Sequence, residues 1–176
     1  TVSAKAVKLT YGKKATVTVT ASPRKAGGVV RAMVGERTVT AKVTKGTAKL
    51  VLPARSLKPG THRLTVTYVQ HGAYKASSTI VKVSVAKAKP KVAVTVRHVR
   101  STGSVRFTVR VSSSAASPTG YVLVRLGSRV LRPQLDAKGR VTGEFADLVK
   151  NGRRTLTAWY SGSDVLGSKT VKARVT

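Results

Sequence analysis

The sequence predicts an all-β protein built of two tandem sandwiches, and three observations predict it. Side chains branched at Cβ dominate: 30 Val and 22 Thr stand among 176 residues. Such side chains are stiff at χ1 and suit a pleated, half-buried surface better than a helix. Apolar and polar residues also alternate with a period of two, as in Ala15-Thr16-Val17-Thr18-Val19-Thr20. Val105, Phe107, Val109 and Val111 do the same against Ser104, Arg106, Thr108 and Arg110. That period marks antiparallel strands with one face buried and one wet. Finally, the chain repeats itself. Shifted by 92 residues, Gly28 meets Gly120, Val30 meets Val122, Gly35 meets Gly127, Arg37 meets Arg129 and Gly60 meets Gly152. Leu64-Thr65-Val66-Thr67-Tyr68 meets Leu156-Thr157-Ala158-Trp159-Tyr160 in the same register.

The elements follow in order. In the first repeat, strands are predicted near 5–10, 15–21, 28–34, 37–43, 47–52, 61–69 and 78–86. In the second they are predicted near 91–97, 104–112, 120–126, 129–135, 140–145, 153–160 and 168–176. Gly35-Glu36 and Gly127-Ser128 suit two-residue hairpins with glycine first. Pro53 to Gly60 and Asp147 to Gly152 are longer connections, as where a chain crosses between sheets. The join is Ala86-Lys87-Ala88-Lys89-Pro90-Lys91, where Pro90 has no N–H for a ladder and the lysines keep the segment wet. The boundary falls at about residue 88, giving domains 1–88 and 89–176. Seven short strands per repeat, with turns every 8–12 residues, is the pattern of an immunoglobulin-like β-sandwich. With no cysteine in the chain, the inter-sheet disulfide of antibody domains is excluded.

The residues also resemble a family. Ser117-Pro118-Thr119-Gly120-Tyr121-Val122, Gly152 and Leu156-Thr157-Ala158-Trp159-Tyr160-Ser161-Gly162-Ser163-Asp164 are similar to the group 3 bacterial Ig-like repeats. Those read P-T/S-G-x-V, then L-x-x-G-x-H-x-L-T-A-x-Y-S-G-D. The first repeat matches in Leu57-Lys58-Pro59-Gly60-Thr61-His62-Arg63-Leu64-Thr65-Val66-Thr67-Tyr68 and Tyr74-Lys75-Ala76-Ser77. It departs at Val69-Gln70-His71-Gly72, where the Tyr-Ser-Gly-Asp string is lost. The resemblance implies tandem modules of large secreted or surface proteins, serving as stalks, spacers or adhesive arms. It also implies a place outside the cell or at its surface. The chain opens on Thr1 rather than Met, so it reads as a piece or processed form of something longer.

The inventory for catalysis is thin. The carboxylates are Glu36, Asp136, Glu144, Asp147 and Asp164, and nothing in their spacing suggests a pair facing across a cleft. Asp136, Asp147 and Asp164 read as turn and cap residues. His62, His71 and His98 lack the spacing of clustered metal ligands. Asp164 sits in a loop that could offer Ca²⁺ backbone carbonyls, but hard cations want several carboxylates and a strongly cationic chain repels them. Neither enzyme activity, a metal nor a cofactor is expected.

Two kinds of surface remain. Tyr68 and Tyr160 share the inward parity of their neighbours and read as core residues whose hydroxyls reach a polar partner, in the manner of a tyrosine corner. Trp159 has the opposite parity. Together with Tyr121, Leu123 and Arg125, and with Lys172 and Arg174 on the last strand, it forms a candidate ligand face, basic with an aromatic centre. Such a face suits a sugar ring or an adjoining module. The first repeat has only Val29, Arg31, Met33, Thr65, Thr67 and Lys82 at the matching positions.

The second surface is charge. With 34 Lys+Arg against 5 Asp+Glu, the formal net charge is +29. It is spread over both repeats, on outward strand positions (Lys8, Lys49, Lys82, Arg97, Arg106, Arg110, Arg140, Lys172) and in loops (Lys13, Lys14, Arg24, Lys25, Arg153, Arg154). The candidate polyanion-binding set is Lys13, Lys14, Arg24, Lys25, Arg97, Arg106, Arg110, Arg153 and Arg154. Anionic cell-wall polymers, acidic polysaccharides and extracellular DNA all fit such a coat, and it also serves solubility. No helix-turn-helix, basic helix or zinc finger can be drawn, so sequence-specific reading of DNA is not expected. The function expected is a non-catalytic spacer and electrostatic anchor. The alternative is a carbohydrate- or protein-binding module using the Trp159 face.

Overall fold

The computed structural model describes residues 1–146 and 154–175, so the Asp147–Gly152 connection and Arg153 lie outside the described residues. The chain divides into two compact units, Thr1–Lys87 and Ala88–Thr176. Each is an immunoglobulin-like β-sandwich.

In the first unit, β1 (Val2–Ala4), β3 (Ala15–Ala21) and β6 (Thr47–Leu52) make one sheet in the order β1-β3-β6. The other holds β2 (Val7–Thr10), β4 (Val29–Val34), β5 (Arg37–Lys42), β7 (Gly60–Val69) and β8 (Ser77–Ala86), in the order β2-β8-β7-β4-β5. The strand expected at 5–10 is found as β2, and a strand not expected, β1, precedes it. β1 pairs antiparallel with β3, then the chain crosses at Lys5-Ala6 so that β2 runs parallel to β8, with Val7 opposite Val83 and Thr10 opposite Ala86. Val17, Val19, Leu50 and Leu52 from one sheet meet Val30, Val34, Val66, Val81 and Val83 from the other in a dry core.

In the second unit, β9 (Lys91–Val99), β10 (Ser104–Ser112) and β13 (Arg140–Phe145) form the sheet β13-β10-β9. β11 (Val122–Leu126), β12 (Arg129–Leu131), β14 (Arg154–Tyr160) and β15 (Lys169–Val175) form the sheet β12-β11-β14-β15. Here the first strand does not cross over: β9 pairs with β10 along its whole length, from Lys91 opposite Ser112 to Val99 opposite Ser104. The strand expected at 129–135 ends at Leu131, because Pro133 has no N–H to continue a ladder. The chain then rejoins the sheet through an isolated pairing of Tyr121 with Gln134.

The two hairpins at Gly35 and Gly127 have positive φ at that first residue alone, 62° in each, the geometry that lets two-residue loops follow strand twist. The repeat is closest in its tyrosines. The Tyr68 hydroxyl donates to the Gly27 carbonyl at 2.6 Å, and the Tyr160 hydroxyl to the Thr119 carbonyl at 2.8 Å, each 41 residues upstream. The glycines that follow those carbonyls, Gly28 and Gly120, have φ of 106° and 101°. A Cβ on Gly28 would meet His71, and one on Gly120 would meet the Gly162 carbonyl, so both conformation and space demand glycine there.

Candidate binding surfaces

The outer face of β13-β10-β9 is built by alternation. Val105, Phe107, Val109 and Val111 point into the core, which turns Arg106 and Arg110 outward on β10. Register then decides their neighbours. Arg106 lies opposite Arg97 on β9 and Glu144 on β13, and Arg110 lies opposite Arg140 on β13. A row of threonines, Thr95, Thr108 and Thr142, separates the two pairs, about 14 Å apart at about 3.4 Å per residue. All four arginines are exposed. Like charges directly opposite one another on adjacent strands are destabilising, so the Arg97–Arg106 and Arg110–Arg140 pairings each carry a cost.

Arg106 is partly matched. Its Nε lies 2.9 Å from Glu144 Oε2. The Ser104 hydroxyl donates to the other carboxylate oxygen. Those two hydrogen bonds, Ser104 first, hold the Glu144 carboxyl below its ordinary value. Asp136 does act in a turn: its Oδ1 accepts from the Lys138 and Arg140 amides at 2.9 and 2.7 Å. Asp164 is exposed in the loop before β15, and Asp147 lies outside the described residues.

The other members of the basic set are dispersed. Lys13 and Lys14 are exposed at the turn before β3, and Arg24 and Lys25 are exposed in the loop after it. The seven residues of β3 therefore hold the two pairs at opposite ends of the strand. Arg154 belongs to the strand predicted near 153–160 rather than to the loop before it: it is the first residue of β14, with the inward parity of Leu156, and it is half-buried. Among the described residues no three His, Asp or Glu side chains gather closely enough to hold a metal ion. The His62 ring is hydrogen-bonded to the Lys58 carbonyl at 2.8 Å.

The aromatic face lies on the other sheet of the second unit. Leu123 sits opposite Trp159, which sits opposite Thr170, and in the next row Arg125 sits opposite Thr157, which sits opposite Lys172. Arg174 follows opposite Thr155. The Tyr121 and Trp159 rings meet edge to face, with centroids 5.9 Å apart. Both side chains are half-buried. Register thus brings Tyr121, Leu123 and Trp159 together, with Arg125, Lys172 and Arg174 along the same face. One residue was overlooked. The Arg132 guanidinium stacks 3.7 Å above the Tyr121 ring, a contact worth about 0.5–1 kcal/mol at an exposed site. Val130 lies opposite Arg125, and Arg132, two residues on, has the same parity; parity assigns it to that face, and only the register sets it over Tyr121.

No family model matches the chain, and no curated protein matches it. Solved structures do. Fibronectin(III)-like modules of CbhA from Clostridium thermocellum align at 15% identity over 99% of this chain and 93% of theirs, with a TM-score of 0.38. The Yersinia pseudotuberculosis adhesin InvE aligns at 16% identity over 99% of this chain and 58% of its own, with a TM-score of 0.41. A titin fragment, A168169, aligns at 13% identity over 98% and 94%, with a TM-score of 0.43. The assignment to Ig-like sandwiches rests on the sheet order and register above.

Proposed function

We propose that this chain is a non-catalytic tandem module of a secreted or cell-surface bacterial protein, acting as a spacer and as an electrostatic anchor to anionic envelope or matrix polymers. Membership in the group 3 bacterial Ig-like repeats is part of this reading, supported by the Gly120 and Leu156–Tyr160 strings. The observation that carries the anchor is the outer face of β13-β10-β9, where Arg97 faces Arg106 and Arg110 faces Arg140. Two arginine pairs separated by neutral threonines match an evenly charged polymer better than a single small anion. Lys13, Lys14, Arg24 and Lys25 add to the field without converging on one site, and Arg153 adds its charge. Teichoic-acid-like wall polymers, acidic polysaccharides and extracellular DNA share the required chemistry, and such binding releases counterions as it forms.

The test is retention on heparin and on isolated cell wall. Retention is expected to collapse by about 0.5 M salt, where exposed charges are mostly screened. Arg110→Gln with Arg140→Gln should elute earlier than the parent, whereas Trp159→Ala should elute with it. A second reading has its own observation, the stack of Arg132, Tyr121 and Trp159, which suits the face of a sugar ring. Retention that survives such salt and is lost with Trp159→Ala would establish that reading and overturn the anchor.

A further inference from the structure

The row Arg97–Arg106–Glu144 is built differently from the row of Arg110 and Arg140. It starts from a buried hydroxyl, that of Ser104, which is 1% exposed. Ser104 gives its one proton to Glu144 Oε1, so the Thr102 hydroxyl, 2.7 Å away, is the donor to Ser104. Glu144 Oε2 in turn accepts from Arg106 Nε at 2.9 Å. The Arg106 guanidinium is thus fixed at one corner. A guanidinium carries five N–H donors, of which Nε has one. The Arg106 side chain is still 63% exposed, so the four donors on its terminal amino groups are open to a ligand. Arg97 brings a second fork to the same place. It is exposed and lies opposite Arg106 on β9, with Cα atoms about 4.5–5.5 Å apart, as in any antiparallel pair. In the other row Arg110 has Arg140 on one side and Ala93 on the other, so register places no carboxylate beside it.

A carboxylate keeps both oxygens in one plane and is filled by one fork. A phosphate group sets its oxygens at tetrahedral angles, so two forks from neighbouring strands can share it. We infer that Arg97 and Arg106 seat one phosphate group of a phosphodiester polymer, with Glu144, anchored on Ser104, as the residue that positions Arg106. This seat rests on the anchor proposed above and narrows its ligand. A side chain fixed before binding loses less freedom on capture. An acidic residue here therefore strengthens the binding of an anion even as it lowers the net charge.

The affinity of the whole chain is measured for poly(glycerol phosphate) and for polyglutamate of equal charge, at one salt concentration. Their ratio is the readout, because the general charge of the coat cancels in it. The parent should favour the phosphate polymer by about tenfold, the size of one charge-assisted hydrogen bond. Arg106→Lys and Arg97→Lys keep the charge and lose the fork, and each should bring the ratio towards one. So should Ser104→Ala and Glu144→Ala, the latter in spite of its gain in positive charge, while Arg110→Lys should leave the ratio unchanged. Trp159 fluorescence reports whether each variant is folded. The two lysine variants stand at exposed positions and decide the matter even where a change at buried Ser104 prevents folding. Single-stranded DNA as a third polymer names the source. A preference equal to that for poly(glycerol phosphate) assigns the seat to phosphodiesters in general, and a lower one to wall-type polymers. A parent ratio near one, or a ratio that Arg106→Lys and Glu144→Ala leave unchanged, would overturn the seat. If both polymers still bind and salt releases them, the anchor stands without it; if neither binds at low salt, the anchor falls too.

Discussion

Where β3 and β6 set Val17 beside Leu50, β10 and β13 set Phe107 beside Gly143. The Phe107 ring, 5.5 Å from that of Phe145, occupies the room a side chain at 143 would need. A Cβ on Gly143 would lie 2.5 Å from Phe107 Cζ. Gly143→Ala is therefore expected to destabilise the second unit by about 1–3 kcal/mol through overpacking. Trp159, the chain's one tryptophan, reports that unit's unfolding by fluorescence. Phe107→Val together with Gly143→Leu restores the arrangement of the first unit and should recover part of the loss; no recovery would show that the cores are not interchangeable. The corner tyrosines give a second measurement. Losing the bond to Gly27 or Thr119 through Tyr68→Phe or Tyr160→Phe should cost about 1 kcal/mol in either unit. Burial, outweighing hydrogen bonds with Ser163 and Thr119, pushes the Tyr160 hydroxyl up. Its contribution is thus complete below the unfolded value of about 10 and is lost as pH rises through the folded one. Tyr160→Phe should flatten that part of the alkaline fall in unfolding midpoint, and an unchanged profile would refute the assignment.

At the level of elements, Glu144 ties β13 to β10 by accepting from Ser104 and Arg106. Because its folded value is depressed, its contribution is present above the unfolded value, about 4.3, and disappears as pH falls through the folded one. Glu144→Gln should therefore remove part of the acid loss of the second unit's stability while leaving the first unit's profile unchanged. The strands themselves were readable because alternation is unbroken over most of them. Where reading failed, the cause is local. Val2 and Ala4 face inward on even numbers, but Val7 and Leu9 do so on odd ones. That slip of one residue at Lys5-Ala6 marks the crossing between sheets, and a strand begun at residue 5 misses β1 before it. β9 shows no such slip from Val92 to Val96, so its failure to cross was legible as well. Which arginines face each other was not. Register depends on turn geometry at both ends of a strand, and parity alone could not place Arg110 opposite Arg140 or Arg132 over Tyr121.

For the molecule as a whole, +29 in 176 residues is a field opposing compaction as well as an attractor of polyanions. Both units should unfold at higher temperature as salt is raised from a few millimolar to about 0.15 M, where the Debye length shrinks to about 8 Å. A calorimetric midpoint that falls over that range would contradict the view that the charge is mainly unpaired. Heparin should give a larger upward shift at low salt than at high, because its counterion release is then worth more. Composition disclosed the existence of this coat. It could not disclose that Arg97, Arg106, Arg110 and Arg140 share one sheet face, since that follows from pairing.

The parallel pairing of β2 with β8 also has a mechanical meaning. Tension along the chain pulls the start of β2 and the end of β8 in opposite directions, so the ladder from Val7–Val83 to Thr10–Ala86 is loaded in shear, all of its bonds together. In the second unit the corresponding parallel contact is the isolated bridge of Ala88 with Leu166. Forced rupture is governed by the unfolding barrier rather than by equilibrium stability. A single molecule stretched from both ends should thus yield its second sandwich first, lengthening like a fuse while the first still holds.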